Sequence, residues 1–116
     1  MVNKSKIKGT RAESAIVTYL QANGHPNAER RALAGTADRG DIAGVIENVI
    51  ESKDHASMSL GAWIDEVEVE TRNARARWGV VWHKRRGRAS PGDWFVTMTG
   101  AQWTRVLRTL GYGEPL

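Results

Sequence analysis

The stretch Gly40-Asp41-Ile42-Ala43-Gly44-Val45-Ile46-Glu47-Asn48-Val49-Ile50-Glu51-Ser52-Lys53 decides how the chain is read. Apolar residues dominate both halves and Glu47-Asn48 interrupts them, so two short strands around a turn are expected. Side chains alternate with period two along a strand. An acid at the end of one strand can therefore share a sheet face with an acid and a lysine two residues apart on the next. Two carboxylates so placed can hold a hard divalent cation, and an ammonium beside them can serve a water molecule.

Parity sets the condition for this arrangement. Asp41 and Glu51 share a face only if the turn between the strands has an odd number of residues. A three-residue turn at Ile46-Glu47-Asn48 pairs Val45 with Val49, Ala43 with Glu51 and Asp41 with Lys53, leaving the two acids as diagonal neighbours about 7 Å apart at the backbone. A two-residue turn at Glu47-Asn48 would send Asp41 to the opposite face. Asn48 tolerates the left-handed conformation that a three-residue turn needs, which favours the odd turn.

Upstream, Gly35-Thr36-Ala37-Asp38-Arg39-Gly40 reads as a polar, glycine-bounded loop, and Ala28 to Leu33 as a first strand or an irregular lead-in. Before them lies a helix in which Thr10 and Glu13 have the spacing of a capping box. Ala12, Ile16, Val17 and Leu20 form its apolar face, and Gly24 supplies the stop. Downstream, Ser57 or Ser59 can cap a second helix whose apolar stripe is Leu60, Trp63, Ile64, Val67, Thr71, Ala74 and Trp78. A strand at Gly79 to Lys84, a loop from Arg85 to Asp93 and a return strand at Trp94 to Met98 follow. Thr99, with Gln102 three residues on, caps a last helix through Leu110. The expected order is α-β-β-β-α-β-β-α, an α/β fold.

With 116 residues the chain has the size of one domain. It has no cysteine, so a metal must sit on oxygen or histidine, and a reducing cytoplasm is the expected location. No apolar run is long enough to span a membrane, and no apolar segment follows Lys4, Lys6 and Lys8 as it would in a signal peptide. Charge is segregated. Residues 1–31 hold six Lys/Arg against two acids, residues 38–70 two against nine, and residues 71–116 nine against two. Basic flanks around an acidic centre suit a polyanion gripped from both sides with cations at its middle, although a lopsided solvated surface has the same composition.

Several residues have plainer readings. Glu13 can do no more than close its capping box, and an isolated acid-x-lysine is common. His25, His55 and His83 lack ligand spacing and read as turn or surface residues, with His55 nearest the site because it follows Lys53 by two. Trp63, Trp78 and Trp103 read as core, whereas Trp82 and Trp94 could stack at an interface or on a base. The run Lys84-Arg85-Arg86-Gly87-Arg88 favours phosphate contact over a merely solvated loop.

Together, Gly9-Thr10-Arg11-Ala12-Glu13, Ala28-Glu29-Arg30-Arg31, Gly40-Asp41-Ile42 and Glu51-Ser52-Lys53, followed by a long helix and a basic hairpin, resemble the PD-(D/E)XK or restriction-endonuclease-like nucleases. Within them the chain is most similar to the archaeal-type Holliday junction resolvases and their phage relatives. The resemblance implies a mixed central sheet flanked by helices, a homodimer and magnesium-dependent cleavage of branched DNA, with manganese as a substitute ion. It implies metal ligation by Asp41, Glu51 and the Ser52 carbonyl, with Glu13 reaching the metal directly or through water, and for Lys53 a role in positioning or helping to deprotonate the attacking water. DNA contacts are expected from Arg11, Arg30, Arg31, Arg39, Lys84, Arg85, Arg86 and Arg88. Gly40 stands where many relatives carry proline. The glutamine of their following helix has no clear equivalent, since Gln102 comes too late in the chain and Glu66 is only a substitute. A nuclease of the same fold acting on single strands or at restriction-type sites, and a DNA-binding protein without catalysis, are the competing expectations.

Overall fold

The computed structural model describes residues 3–31 and 39–116. Helix α1 spans Lys4–Ala22, and Asn3 caps it by accepting the Ser5 N–H at 2.9 Å. Asparagine is among the best N-cap residues, so the helix begins well before Thr10. Thr10 and Glu13 therefore lie inside α1 and form no capping box. Its end is the expected one, with Gly24 at φ +96° and the His25 N–H bonded back to the Leu20 carbonyl.

The strands are β1 (Glu29–Arg30), β2 (Ile42–Ala43), β3 (Asn48–Lys53), β4 (Trp78–His83) and β5 (Phe95–Thr97), and they form one sheet in that spatial order. All neighbours are antiparallel except β3 and β4, which are parallel. A parallel pair needs a long crossover, here helix α2 (Leu60–Ala74). Helix α3 (Gly100–Thr109) follows β5. Among the described residues the fold is thus α/β, with a five-stranded mixed sheet and three α-helices in the expected order. Most of the expected Gly35–Gly40 loop, and the end of the Ala28–Leu33 lead-in, fall outside the described residues. Among those described, no helix is long and apolar enough to cross a membrane.

Alternation along the strands divides the interior in two. Ile42, Ile50, Val80 and Trp82 pack against Ala12, Ile16, Val17 and Leu20 of α1, while Val49 and Val81 pack against Trp63 and Val67 of α2. Glu51 and Lys53 lie on the α2 face with Val49, because they follow it at intervals of two.

The hairpin keeps the expected parity but not the expected register. Ile42 faces Ile50, which brings Asp41 level with Glu51 and not with Lys53. The chain reverses over Gly44–Glu47, and the left-handed residues are Gly44 (φ +88°) and Glu47 (φ +61°); Asn48 is already the first residue of β3. A Cβ on Gly44 would collide with the Asn27 backbone carbonyl, so the turn is placed where glycine permits that approach.

The tryptophans are distributed differently from expectation. Trp78 opens β4, because Arg75 (φ +53°) ends α2 and the Trp78 N–H bonds to the Glu47 carbonyl alongside β3. Trp103 is exposed on α3, whose buried residue is Gln102. Trp82 and Trp94 are buried, with indole N–H groups donating to the Pro91 and Arg88 carbonyls, so neither is available for stacking on a base. His83 is also buried, as part of β4.

Thr99 caps α3 as expected, accepting the Gln102 N–H at 3.1 Å. The Gln102 side chain, however, turns inward, accepting from Gly79 N–H and donating to Gly79 C=O, both at 2.9 Å. It satisfies the edge of β4 that the three-residue β5 is too short to reach. Replacing Gln102 with Ala strands a buried N–H and C=O, and should lower unfolding free energy by about 2 kcal/mol or more, read as a reduced urea midpoint at unchanged m-value.

Candidate active site

Gly40 sets the direction from which the chain enters the site. Its φ is +92°, and a Cβ there would lie 2.9 Å from Val49 Cγ1 and 3.2 Å from the Ile50 carbonyl oxygen. Proline, fixed near φ −65°, cannot adopt this conformation, so glycine is the residue this backbone requires where the resembled family often has proline.

Asp41 extends the β2–β3 pairing with its side chain. Its N–H donates to the Ile50 carbonyl at 3.0 Å, and its Oδ2 accepts the Ser52 N–H at 2.8 Å. Ser52 thus holds Asp41 through its amide. The Asp41 carboxyl touches that of Glu51, which touches that of Glu70. Glu70 comes from α2, where it follows Glu66 by one helical turn on the same face. Among the described residues, carboxylate oxygens of Glu51, Glu66 and Glu70 lie within 4.8 Å of one another. Glu51 is 5 % exposed and Glu70 1 %, while Glu66 opens to solvent.

Lys53 lies over this group, its Nζ 3.7 Å from Glu51 Oε1 and 3.2 Å from Glu66 Oε2. Partial burial pulls its pKa down, but Glu51, Glu66 and Asp41 outweigh that and raise it overall. The ammonium is held charged. Burial is the main force on the acids as well. Desolvation, then the contact with Glu70 and the charge of Asp41, push Glu51 up to about 12. Asp41 is raised by desolvation despite the opposing Ser52 hydrogen bond.

A cation suits these residues. Among the described residues Glu51 Oε2 is shut off from water and meets no N–H or O–H donor, while the surrounding groups are hard oxygen donors of the kind that hold magnesium or manganese. A proton on Glu51 and a divalent ion are alternative ways to relieve the same repulsion.

The fold brings Asp41, Glu51 and Lys53 together as the spacing suggests, while Ser52, expected from the resemblance as a ligand through its carbonyl, meets Asp41 through its amide. Glu13 stands apart from the Glu51–Glu66–Glu70 group and pairs with Arg30 at 2.9 Å, although its charge is felt by Asp41. Glu70 is the member that the sequence reading does not supply. Its signal is an acid three residues after Val67 and seven after Trp63, on the buried stripe of α2.

Of the expected basic contacts, Arg11, Arg39, Arg86 and Arg88 are exposed and Arg31 is half-buried. Lys84 pairs with Asp54 at 3.9 Å, and Arg85 lies over the Phe95 ring. His55 packs on Trp63 and is no member of the acid group. His83 contacts Thr97 Oγ1 at 2.8 Å, and burial lowers its pKa. Compared with known protein families, curated proteins and solved structures, the chain matches none.

The raised Glu51 pKa has a signed consequence. The folded protein holds a proton that the unfolded chain releases above the ordinary carboxylate pKa of 4.5, so stability falls as pH rises from there toward about 12. His83 works oppositely below its ordinary 6.5, where the unfolded chain takes up a proton first, so the clean window is about pH 7 to 9. Metal-free unfolding free energy should fall across that window, by up to about 1.4 kcal/mol per pH unit for each extra bound proton, and Glu51→Gln should flatten the slope. Chemical denaturation at several pH values measures both.

Proposed function

We propose that the chain is a divalent-metal-dependent nuclease with a restriction-endonuclease-like core, which hydrolyses phosphodiester bonds in DNA and prefers branched DNA such as a four-way junction. The observation that carries this reading is the convergence of Asp41, Glu51, Glu70, Glu66 and Lys53 on one sheet face beneath α2, buried at one end and open at the other. The mixed sheet with helices on both faces and the basic loop after β4 support it. Homodimerisation would present two such sites to the two symmetric strands of a junction.

Asp41 and Glu51 would hold the metal, with Glu70 or Glu66 completing the oxygen set. When bound, the ion supplies charge stabilisation at the scissile phosphate and a more acidic water. Lys53, kept protonated by its carboxylate neighbours, donates to a phosphate oxygen or orients the attacking water, and is not the base. Ser52 keeps the Asp41 carboxylate in place through its amide. Exposed Arg39, Arg86 and Arg88 contribute sequence-independent phosphate contacts.

Cleavage of a labelled four-way junction, compared with linear duplex and single strands, tests the activity and its substrate. Product should require magnesium or manganese, and Asp41→Asn, Glu51→Gln and Lys53→Ala should each lower the rate by about 100-fold or more. DNA binding without any metal-dependent product would instead assign the chain to non-catalytic DNA binders, and equal cleavage by the variants would overturn the site. Arg86→Ala should weaken binding to all sequences alike and make log K less steep in log salt by about one unit, as expected when one fewer phosphate is neutralised.

A further inference from the structure

Phe95 is an anomaly on the surface. It sits on the edge strand β5, where charged or polar residues usually guard the free edge, yet it is 47 % exposed. It pairs with His83, which in turn pairs with Lys53, so Lys53, His83 and Phe95 form a row across three adjacent strands on the α2 face. Two strand spacings put Phe95 about 10 Å from Lys53, roughly three base steps of a stacked DNA strand at ~3.4 Å each.

The row is aromatic and braced from below. Phe95 contacts the buried His83 ring at 5.5 Å between centroids, and His83 contacts the buried Trp63 at 5.8 Å. Above, the Arg85 guanidinium lies 5.4 Å from the Phe95 centroid. With the Arg85 guanidinium over the ring and His83 bracing it, the pair offers a flat, cationic surface on which a base can stack against the guanidinium plane. Charge selects the occupant. Lys84, Arg85, Arg86 and Arg88 lie on the loop next to the ring, so a second copy of the chain placed there would bring like charges together, whereas a nucleic acid brings the opposite charge.

We infer that Phe95 and Arg85 form a stacking platform for an unstacked base of the strand held at the acidic site, a device by which the branched substrate already proposed would be told from an intact duplex. In an intact duplex both faces of every internal base are covered by neighbours, and only a branch point, a nick, an end or a single strand leaves one free. The inference rests on the nuclease reading for the strand's position, and on Phe95 for the preference.

A four-way junction carrying 2-aminopurine at the branch point, bound in calcium and separately cleaved in magnesium, tests it. With wild type the fluorescence should change on binding. With Phe95→Ala and Phe95→Leu the change should vanish and kcat/KM on the junction should drop about 5- to 150-fold, while Phe95→Tyr restores both and intact-duplex affinity stays constant. Leu keeps the apolar bulk without the ring, and thermal melts of each variant separate folding from stacking. Unchanged fluorescence and cleavage in the Ala and Leu variants would overturn the platform, as would sedimentation showing a wild-type dimer that Phe95→Ala dissociates. If wild type cuts no DNA but its fluorescence response still requires Phe95, the platform stands and the nuclease reading falls.

Discussion

Glu51 and Glu70 face each other between β3 and α2, out of reach of bulk water, and that enforced approach of two carboxyl groups is the constraint around which the molecule is arranged. Burying one unpaired carboxylate is costly, and burying two in contact is tolerable only with a proton or a cation between them. The cost is offset by apolar packing on both sides of the sheet. Val49, Val81, Trp63 and Val67 pin α2 to the sheet on the acid side, and Ile16, Ile42 and Ile50 anchor the other face. Without α2 held there, Glu70 and Glu66 would be solvated and the three carboxyl groups would not be brought together.

The same arrangement explains the division of labour between backbone and side chains. Gly40 admits the chain at a left-handed angle, Asp41 takes the place of a strand residue by accepting the Ser52 N–H, and β3 then projects Glu51 and Lys53 to one side. Each of these positions is determined by a neighbour. The strands thereby hold Asp41, Glu51 and Lys53, while Glu66 on the helix and the basic loop after β4 are left exposed to solvent.

Much of this is legible in the chain. Period-two alternation places Asp41 and Glu51 on one face once an odd turn is assumed, and the observed pairing of Ile42 with Ile50 has that parity. The pairing itself is not legible, since a displaced turn can preserve parity and still change every partner; the fit of Gly44 against the Asn27 carbonyl chooses between them. Helix α1 is recognisable by its apolar face but not by its start, because Asn3 outcompetes Thr10 as a cap. Trp78 fits a helical stripe as well as a strand, and only the left-handed Arg75 removes it from α2.

The chain alone therefore determined the order of elements, the acid-x-lysine strand and the segregation of basic and acidic segments, all of which follow from local periodicity and composition. Tertiary structure alone decided that Glu70 joins the acidic group while Glu13 pairs with Arg30, that Gln102 serves the edge of β4, and that Phe95 is left exposed while Trp82 and Trp94 are buried. The physical reason is the same in each case. A residue's partners across a sheet or under a helix are set by which elements pack together, and that information is carried by contacts far apart in the chain.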